Sequence, residues 1–443
     1  MKVLLIGTGG VGEALAKIAH TRRSLSPWLD LMVLSDYDEE RVRTVAAQIG
    51  DPEHFPAEKI NARRKDEIVA LIRKYNVDLV MNACDPSFNE IIFDTALECG
   101  INYMDMALSL SKPDPVDPYH KAYVKSGDYQ FAQEDAWRKS GKMALLGMGI
   151  DPGASNVFAR YAEKYFFDEI DEVGIKDGNN LTADGYDITF GFSIWTTIDE
   201  CLNPPFIWEK EKGWYTTEPF SEKETFVFPD GIGEQEVVNV EHEEVLMLPR
   251  YIGKGCRKVT FKYSLGDKFI TMLKDLRALG LSDKKSKVPG TSFSPRDIVA
   301  KVAPSPVEIA GRLHGKCCVG AYVAGRKDGL ERRVFIYQTV DNQEMMRRFG
   351  SQAVVAQTAF NPVIAMELMA KGIWTHEGVI CPEGLNPDPY LTLMDEYGFY
   401  AGVQEMDSEY RRMLNKENLY RVMTGESGSA SYFPDVKMTA APL

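Results

Sequence analysis

The sequence predicts an α/β protein: a doubly wound parallel sheet, followed by a second α/β domain with a largely antiparallel sheet. Three observations predict it. A short apolar run, Lys2-Val3-Leu4-Leu5-Ile6, passes straight into glycines, as a buried parallel strand does. Apolar runs and helical periods then alternate as far as residue 156, the pattern of strands joined by crossover helices. Beyond it, the strand-like runs are separated by segments rich in Trp, Pro and Glu.

Taken in order, residues 2–6 read as the first strand and 11–21 as the first helix. A strand over 29–34 and helices over 39–49 and 67–75 follow. A strand over 77–83, a helix over 89–99 and strands over 101–104 and 143–146 complete a first domain of residues 1–156. The second domain, 157–345, is expected to hold strands at 187–192, 258–263 and 333–338. The chain then returns as a helix over 352–371, so 346–424 is expected to be a helical return packed on the first domain. The tail, 425–443, is rich in Gly, Ser, Ala and Pro and reads as a loose or docked extension.

The turn after the first strand is Gly7-Thr8-Gly9-Gly10-Val11-Gly12, and Asp36 lies at the end of the next strand. GxGxxG between strand and helix, with an acidic residue so placed, is the fingerprint of a Rossmann dinucleotide site. Gly7 permits the turn, Gly9 lets the backbone approach a pyrophosphate, and Gly12 lets helix pack on strand. The helix N-terminus adds free N–H groups and a partial positive charge. Asp36 can accept the ribose hydroxyls and repel a 2′-phosphate, which favours NAD. Arg41 and Arg43 lie near enough to make NADP possible.

Composition narrows the function. A 44% hydrophobic and 26% charged chain suits a folded enzyme. The net charge of -14 argues against a phosphate-binding surface, so no nucleic acid is expected as partner. The 7 cysteines form no CxxC pair, which suggests neither a disulfide framework nor a metal site. No apolar stretch approaches the roughly 20 residues of a membrane helix. A cytoplasmic homodimer acting on a small molecule is expected.

Several further segments share one pattern: Asn82-Ala83-Cys84-Asp85-Pro86, Tyr103-Met104-Asp105, Gly149-Ile150-Asp151-Pro152-Gly153, His242-Glu243-Glu244 and Gly378-Val379-Ile380-Cys381-Pro382-Glu383. With them the chain resembles the saccharopine dehydrogenase-like oxidoreductases, a group that includes saccharopine reductase and carboxynorspermidine dehydrogenase. The resemblance runs to about residue 400. It implies hydride transfer between nicotinamide and the C=N or CH–NH of a secondary amine derived from an amino acid or polyamine. It also implies that Asn82, Ala83, Asp105 and Met106 line the dinucleotide cleft, with Asp151, Pro152 and Gly153 beside the nicotinamide. The group's substrate arginine has no counterpart in Phe192-Ser193-Ile194-Trp195-Thr196-Thr197, and a Thr-Gly-x-Pro segment stands here as Thr358-Ala359-Phe360-Asn361-Pro362. Both departures lie on the substrate side.

Such chemistry needs a proton source or sink at nitrogen and a grip on the substrate. His242, between Glu241 and Glu243, is the candidate for the proton, with Glu244 as companion. Trp195, Thr196 and Glu200 offer an indole, a hydroxyl and a carboxylate, suited to an ammonium. The same segment also reads as an ordinary helix start capped by Thr196 with Asp199. Arg250, Lys258 and Lys262 are candidates for a substrate carboxylate. A competing function is an aminoalkyltransferase resembling homospermidine synthase, which keeps its NAD bound.

Overall fold

A computed structural model of the chain describes residues 1–424; the expectation for 425–443 lies outside the described residues. The first sheet is built from β1 (Lys2–Ile6), β2 (Leu31–Asp36), β3 (Ala57–Lys59), β4 (Leu79–Asn82), β5 (Asn102–Asp105) and β6 (Met143–Leu145). All are parallel, in the order β6-β5-β4-β1-β2-β3. Val3, Leu4, Leu5, Leu79, Val80 and Met81 are completely buried, because helices cover both faces. The strand order reverses between β1 and β4, and the crevice outside their carboxyl ends is where such sheets bind ligands.

Two strand starts, at 29 and 77, lie earlier in the sequence reading than in the structure, and one strand is missing from that reading. Trp28, Leu29 and Val77 are buried but precede their strands, so their apolar character serves packing rather than pairing. The edge strand β3 is short and polar and gave no apolar signal.

The second sheet contains β7 (Glu169–Asn179), and, after the small β8 (Thr182–Ala183), β9 (Phe206–Glu209) and β10 (Gly213–Thr216). It adds β11 (Glu224–Phe228), β12 (Gly233–Asn239) and β13 (Lys258–Tyr263). After β14 (Leu313–His314), which pairs with β8, come the long β15 (Lys316–Lys327) and β16 (Leu330–Asp341). Only β13 and β7 pair in parallel; the other pairs are antiparallel, as expected. The strand expected over 187–192 does not form. Its apolar alternation comes from residues such as Phe190, which packs edge-on against Phe269 at 5.4 Å. The stretch leads instead into a helix, Ile194–Leu202, capped by Ser193 rather than Thr196.

The returning segment is not purely helical. β17 (Gly378–Ile380) joins the first sheet beside β6, and β18 (Ala401–Glu405) joins the second beside β16. Between them and the second sheet, the helix Ala353–Ala370 packs on the helix Gly10–Arg23. It is the one helix among the described residues long and apolar enough to cross a membrane, and 72% of it is buried within the fold. A buried ion pair locks the two helices: Arg22 Nε donates to Glu367 Oε2 at 2.9 Å, and Tyr397 donates to the same oxygen at 2.7 Å. Glu367 is completely buried.

Burial alone would raise the Glu367 pKa, but Arg22, Lys371 and Tyr397 outweigh it and hold the carboxyl at about 2. Its contribution to stability is therefore fully present above about 4.5 and is lost as pH falls through about 2. Replacing Glu367 with Gln removes the buried partner of Arg22, whose guanidinium keeps Glu396 at 2.6 Å, and urea unfolding at pH 7 is expected to show a loss of about 1.5–3 kcal/mol, the worth of a hydrogen bond to a charged group. The gap between variant and wild type should narrow on acidification below pH ~4.5; a constant gap would assign the loss to packing instead.

Candidate active site

The glycine turn divides its work as its positions require. Gly7 has φ +100, and a Cβ there would stand 2.7 Å from the Ala83 carbonyl oxygen. A Cβ on Gly12 would stand 2.0 Å from the Gly7 carbonyl oxygen, so the helix start is pressed against the turn. A Cβ on Gly9 would meet nothing within 4 Å. Gly9 therefore faces open ground, at the N-terminus of the helix that begins with Gly10 and Val11. That combination fits a pyrophosphate.

The adjoining cleft has a volume of about 860 Å³ and includes Gly7, Gly9, Asp36, Lys59, Arg63 and Ala83 in its lining. Asp36 does more than face it. Its Oδ2 accepts the Thr8 backbone N–H at 2.7 Å and the Thr8 hydroxyl at 3.2 Å, and its Oδ1 accepts the Asp38 N–H at 3.0 Å. Asp36 thus holds the turn from behind. Arg41 is tied to the Thr8 carbonyl at 3.0 Å and to Glu13, and Arg43 pairs with Glu39. The cations that do line the cleft, Lys59 and Arg63, escaped the sequence reading because their strand did.

Asn82 and Asp105 lie one layer behind the cleft, 2% and 1% exposed. Asn82 Nδ2 donates to Asn89 at 2.8 Å and to Tyr103 Oη at 3.1 Å. Tyr103 donates to Asp105 Oδ2 at 2.9 Å, Gln130 donates to the same oxygen at 2.7 Å, and the Gly147 N–H donates to Oδ1 at 2.7 Å. These bonds fasten the strand ends to the segment before the Asp151 turn. Burial pushes Asp105 up to about 7 despite them. Met106 is half-buried beside it.

The turn itself is closed by a bond from the Gly149 N–H to the Pro152 carbonyl at 2.7 Å. Gly153 has φ +139, and a Cβ there would sit 2.0 Å from the Gly149 oxygen. Only glycine fits. The Gly153 N–H donates to Asn156 Oδ1 at 2.9 Å, opening the helix Ala154–Tyr165.

That helix supports the candidate acid. His242, 8% exposed, lies flat on Phe261 with ring centroids 3.8 Å apart. Its Nδ1 is 2.6 Å from Glu244 Oε2, and the Ser155 hydroxyl donates to Glu244 Oε1 at 3.0 Å. The carboxylate fixes the proton on Nδ1 and leaves Nε2 as the chemically available nitrogen. Desolvation works against the imidazolium, but Glu244, Glu243 and Asp151 prevail and the His242 pKa lies well above 6.5. Ligand atoms of His242, Glu243 and Glu244 lie within 4.8 Å of one another. Both Glu244 oxygens and Glu243 Oε1 are engaged by Nδ1, Ser155 and the Leu108 N–H, so His242 and Glu244 form a hydrogen-bonded dyad.

His242 borders a second pocket of about 390 Å³. Trp195, Thr196 and Glu200, on the helix capped by Ser193, line it, as do Glu241, Glu243 and Asp85. Asp85 also lines the dinucleotide cleft, so the two spaces adjoin. Burial raises Glu200 to about 8 and Glu241 to about 7. Asp177 is raised to about 7 by burial and couples electrostatically to His242. Asp151 is raised well above its usual value by burial and by Asp177. So many confined carboxylates favour a cationic occupant.

The basic candidates are elsewhere. Lys262 donates to the Glu222 carbonyl at 2.6 Å and to Glu224 at 2.9 Å, Lys258 lies 3.6 Å from Glu222, and Arg250 donates to the Leu246 carbonyl at 2.9 Å. Their charges are used within the fold. Asp85, Glu241 and Asp177 were not singled out from the sequence. The first two sit inside recognised segments, whereas nothing local marks Asp177.

Comparison with known proteins covers both parts of the chain. A family described as saccharopine dehydrogenase NADP binding domain matches residues 3–145, and one described as saccharopine dehydrogenase C-terminal domain matches 149–399. Carboxynorspermidine synthase of Vibrio cholerae is 29% identical over 416 residues, covering 92% of this chain and 98% of that protein. Carboxyaminopropylagmatine dehydrogenase of Synechocystis is 29% identical over 398 residues, covering 90% and 96%. The solved structure of apo histidine-tagged saccharopine dehydrogenase (L-Glu forming) from Saccharomyces cerevisiae has the same fold. It aligns with a TM-score of 0.63 at 13% identity, covering 92% of this chain and 100% of that one.

The open ground above Gly9 is directly testable. Gly9→Val places a branched side chain where the pyrophosphate would lie, without touching the protein. Calorimetry is expected to show a folded variant whose affinity for NAD(P)H has fallen at least about a hundredfold, roughly the worth of one good charged hydrogen bond. Unchanged affinity would place the dinucleotide elsewhere.

Proposed function

This chain belongs to the saccharopine dehydrogenase family and is an NAD(P)-dependent dehydrogenase, and we propose that it reduces the C=N bond formed between an amine and an amino-acid-derived carbonyl compound. The observation that carries this reading is the His242–Glu244 dyad at the border of an acidic pocket that shares Asp85 with the dinucleotide cleft. The glycine turn would hold a nicotinamide dinucleotide, whose chemistry would be the delivery of hydride to the imine carbon. The rest of the chemistry belongs to the protein's own side chains. The acidic wall draws in the protonated amine, and the Asp151-Pro152-Gly153 turn positions the pocket against the cleft. The imidazolium of His242 gives its Nε2 proton to the substrate nitrogen, so that C=N, a hydride and a proton become CH–NH. Glu244, held by Ser155, keeps the imidazole oriented and charged.

For the cofactor, we favour NADP(H). Asp36 spends both carboxylate oxygens on the turn, while Lys59 and Arg63 line the same cleft and suit a 2′-phosphate. Arg63→Ala should weaken NADPH binding more than NADH binding; equal effects would return the preference to NAD. The names of the relatives, a carboxynorspermidine synthase and a carboxyaminopropylagmatine dehydrogenase, support a polyamine-type product. Stoichiometric loss of reduced nicotinamide absorbance with amine and carbonyl acid separates this reaction from an aminoalkyl transfer, which shows no net change.

If His242 is the acid, His242→Gln should lower turnover by about 10²–10⁴-fold while leaving NADPH affinity near wild type. The sign of the pH dependence follows from the raised pKa. The imidazolium is present below it, so kcat/KM for reduction should fall as pH rises through it. In Glu244→Gln the largest support for the charge is gone, and the fall should move to lower pH. A limb that stays in place would assign the proton to another group.

A further inference from the structure

Glu383 follows β17 in the returning segment and is completely buried. Its place is tightly set: a Cβ on the next residue, Gly384, would stand 2.9 Å from Tyr251 Cε1 and from Ile380 Cγ1. Yet both Glu383 carboxylate oxygens are buried without a well-formed hydrogen bond. Burial, with Glu244 nearby, pushes the carboxyl up to about 8, while its own N–H, Asn156 and Arg250 pull the other way. A buried carboxyl in that state is costly, so its retention calls for a reason.

Asn156 supplies one. The turn Pro382–Gly384 packs on the helix Ala154–Tyr165, and Asn156, also completely buried, turns its amide toward the Glu383 carboxyl. That orientation is dictated from the other side. Asn156 Oδ1 accepts the Gly153 N–H at 2.9 Å and faces the Ser155 hydroxyl at 3.2 Å. Turned over, the amide would set Nδ2 against the Gly153 N–H, donor against donor. Nδ2 is therefore left for Glu383, and it has no well-formed bond elsewhere. From Asn156 the contacts divide. One branch runs through Gly153 to the turn that closes on Gly149. The other runs through the Ser155 hydroxyl to Glu244 Oε1 at 3.0 Å, and from Glu244 Oε2 to His242 Nδ1 at 2.6 Å.

We propose that Glu383 is a positioning residue for His242, acting through Asn156: it fixes the one amide that ties the Asp151 turn to the Ser155–Glu244–His242 chain. Glu383 lines neither the dinucleotide cleft nor the pocket beside His242, so its influence passes through that amide alone. What it contributes is an acceptor oxygen for Asn156 Nδ2, and rotation of the amide releases both branches together. This rests on the reading of His242 as the acid.

The test exchanges donor and acceptor between two isosteric pairs. Asn156→Asp sets one carboxyl against another, and adding Glu383→Gln restores an amide facing a carboxyl with the roles reversed. With the full chain, NADPH, aspartate semialdehyde and 1,4-diaminobutane, Asn156→Asp is expected to lower kcat about 10–100-fold, the cost of leaving one buried polar group unpaired. KM and NADPH affinity should stay near wild type, and the doubly substituted enzyme should regain most of the lost kcat. Glu383→Leu, which offers no acceptor, should lose as much as Asn156→Asp but little more when added to Ser155→Ala. A double variant that regains nothing, or losses that simply add, would overturn the positioning role. Proton NMR without substrate separates this inference from the imine chemistry. The His242 Nδ1 proton bonded to Glu244 gives a far-downfield line, assigned by its loss in His242→Gln. That line should vanish in Asn156→Asp and return in the double variant. This pattern without any imine reduction would refute the imine chemistry alone, and a line indifferent to Asn156→Asp overturns the inference.

Discussion

Asp151, Asp177, Glu200, Glu243 and Glu244 crowd one imidazole, and burial raises the first four above the usual carboxylate range. That constraint organises the catalytic half of the molecule. One carboxylate, Glu244, is completely buried and bound to both His242 and Ser155, and it holds the imidazole charged. The others are raised toward neutrality, and of these Glu200 and Glu243 line the pocket that the imidazole borders. A local excess of this kind is destabilising in the empty protein, and such strain is tolerated where function requires it. The first sheet and the glycine turn bring the cleft beside Gly9 to the edge of that pocket, with Asp85 lining both.

Strand alternation places the excess where it is used. In β7, Lys176 and Asp177 are neighbours and so point to opposite faces. On one face Lys176 and Lys262, paired in register across β7 and β13, share Glu224 from the overlying β11. Those charges are matched and can be read as structural. On the other face Asp177 approaches His242 and Glu244 with no lysine or arginine partner among the described residues. The same sheet thus balances its charge on one side and leaves it unbalanced on the other.

Local patterns made the dinucleotide half legible. A buried strand, a glycine turn and an amphipathic helix are each encoded within a few residues, and the helix over 39–49 and the strand over 258–263 appear with the ends read from the sequence. The strand expected at 187–192 failed because the alternation that suggests a strand also arises when Phe190 packs on a helix. On the substrate side, His242 and Glu244 could be chosen because a histidine amid acids is locally visible. Asp177 could not, since its importance comes from sheet register. Arg250, Lys258 and Lys262 were plausible carboxylate binders by residue type alone, and the fold had already used them.

The charge arrangement also bears on how the two clefts cooperate. Asp85 faces both, in the segment that leaves β4 beside Ala83. A dinucleotide brings phosphates to the glycine turn and so adds negative charge near a pocket already rich in carboxylates. Lys59 and Arg63 temper that field at the far, ribose end, away from His242. The distribution places the cations Lys59 and Arg63 in the first cleft and the anions Glu200, Glu241 and Glu243 in the second pocket, with Asp85 lining both.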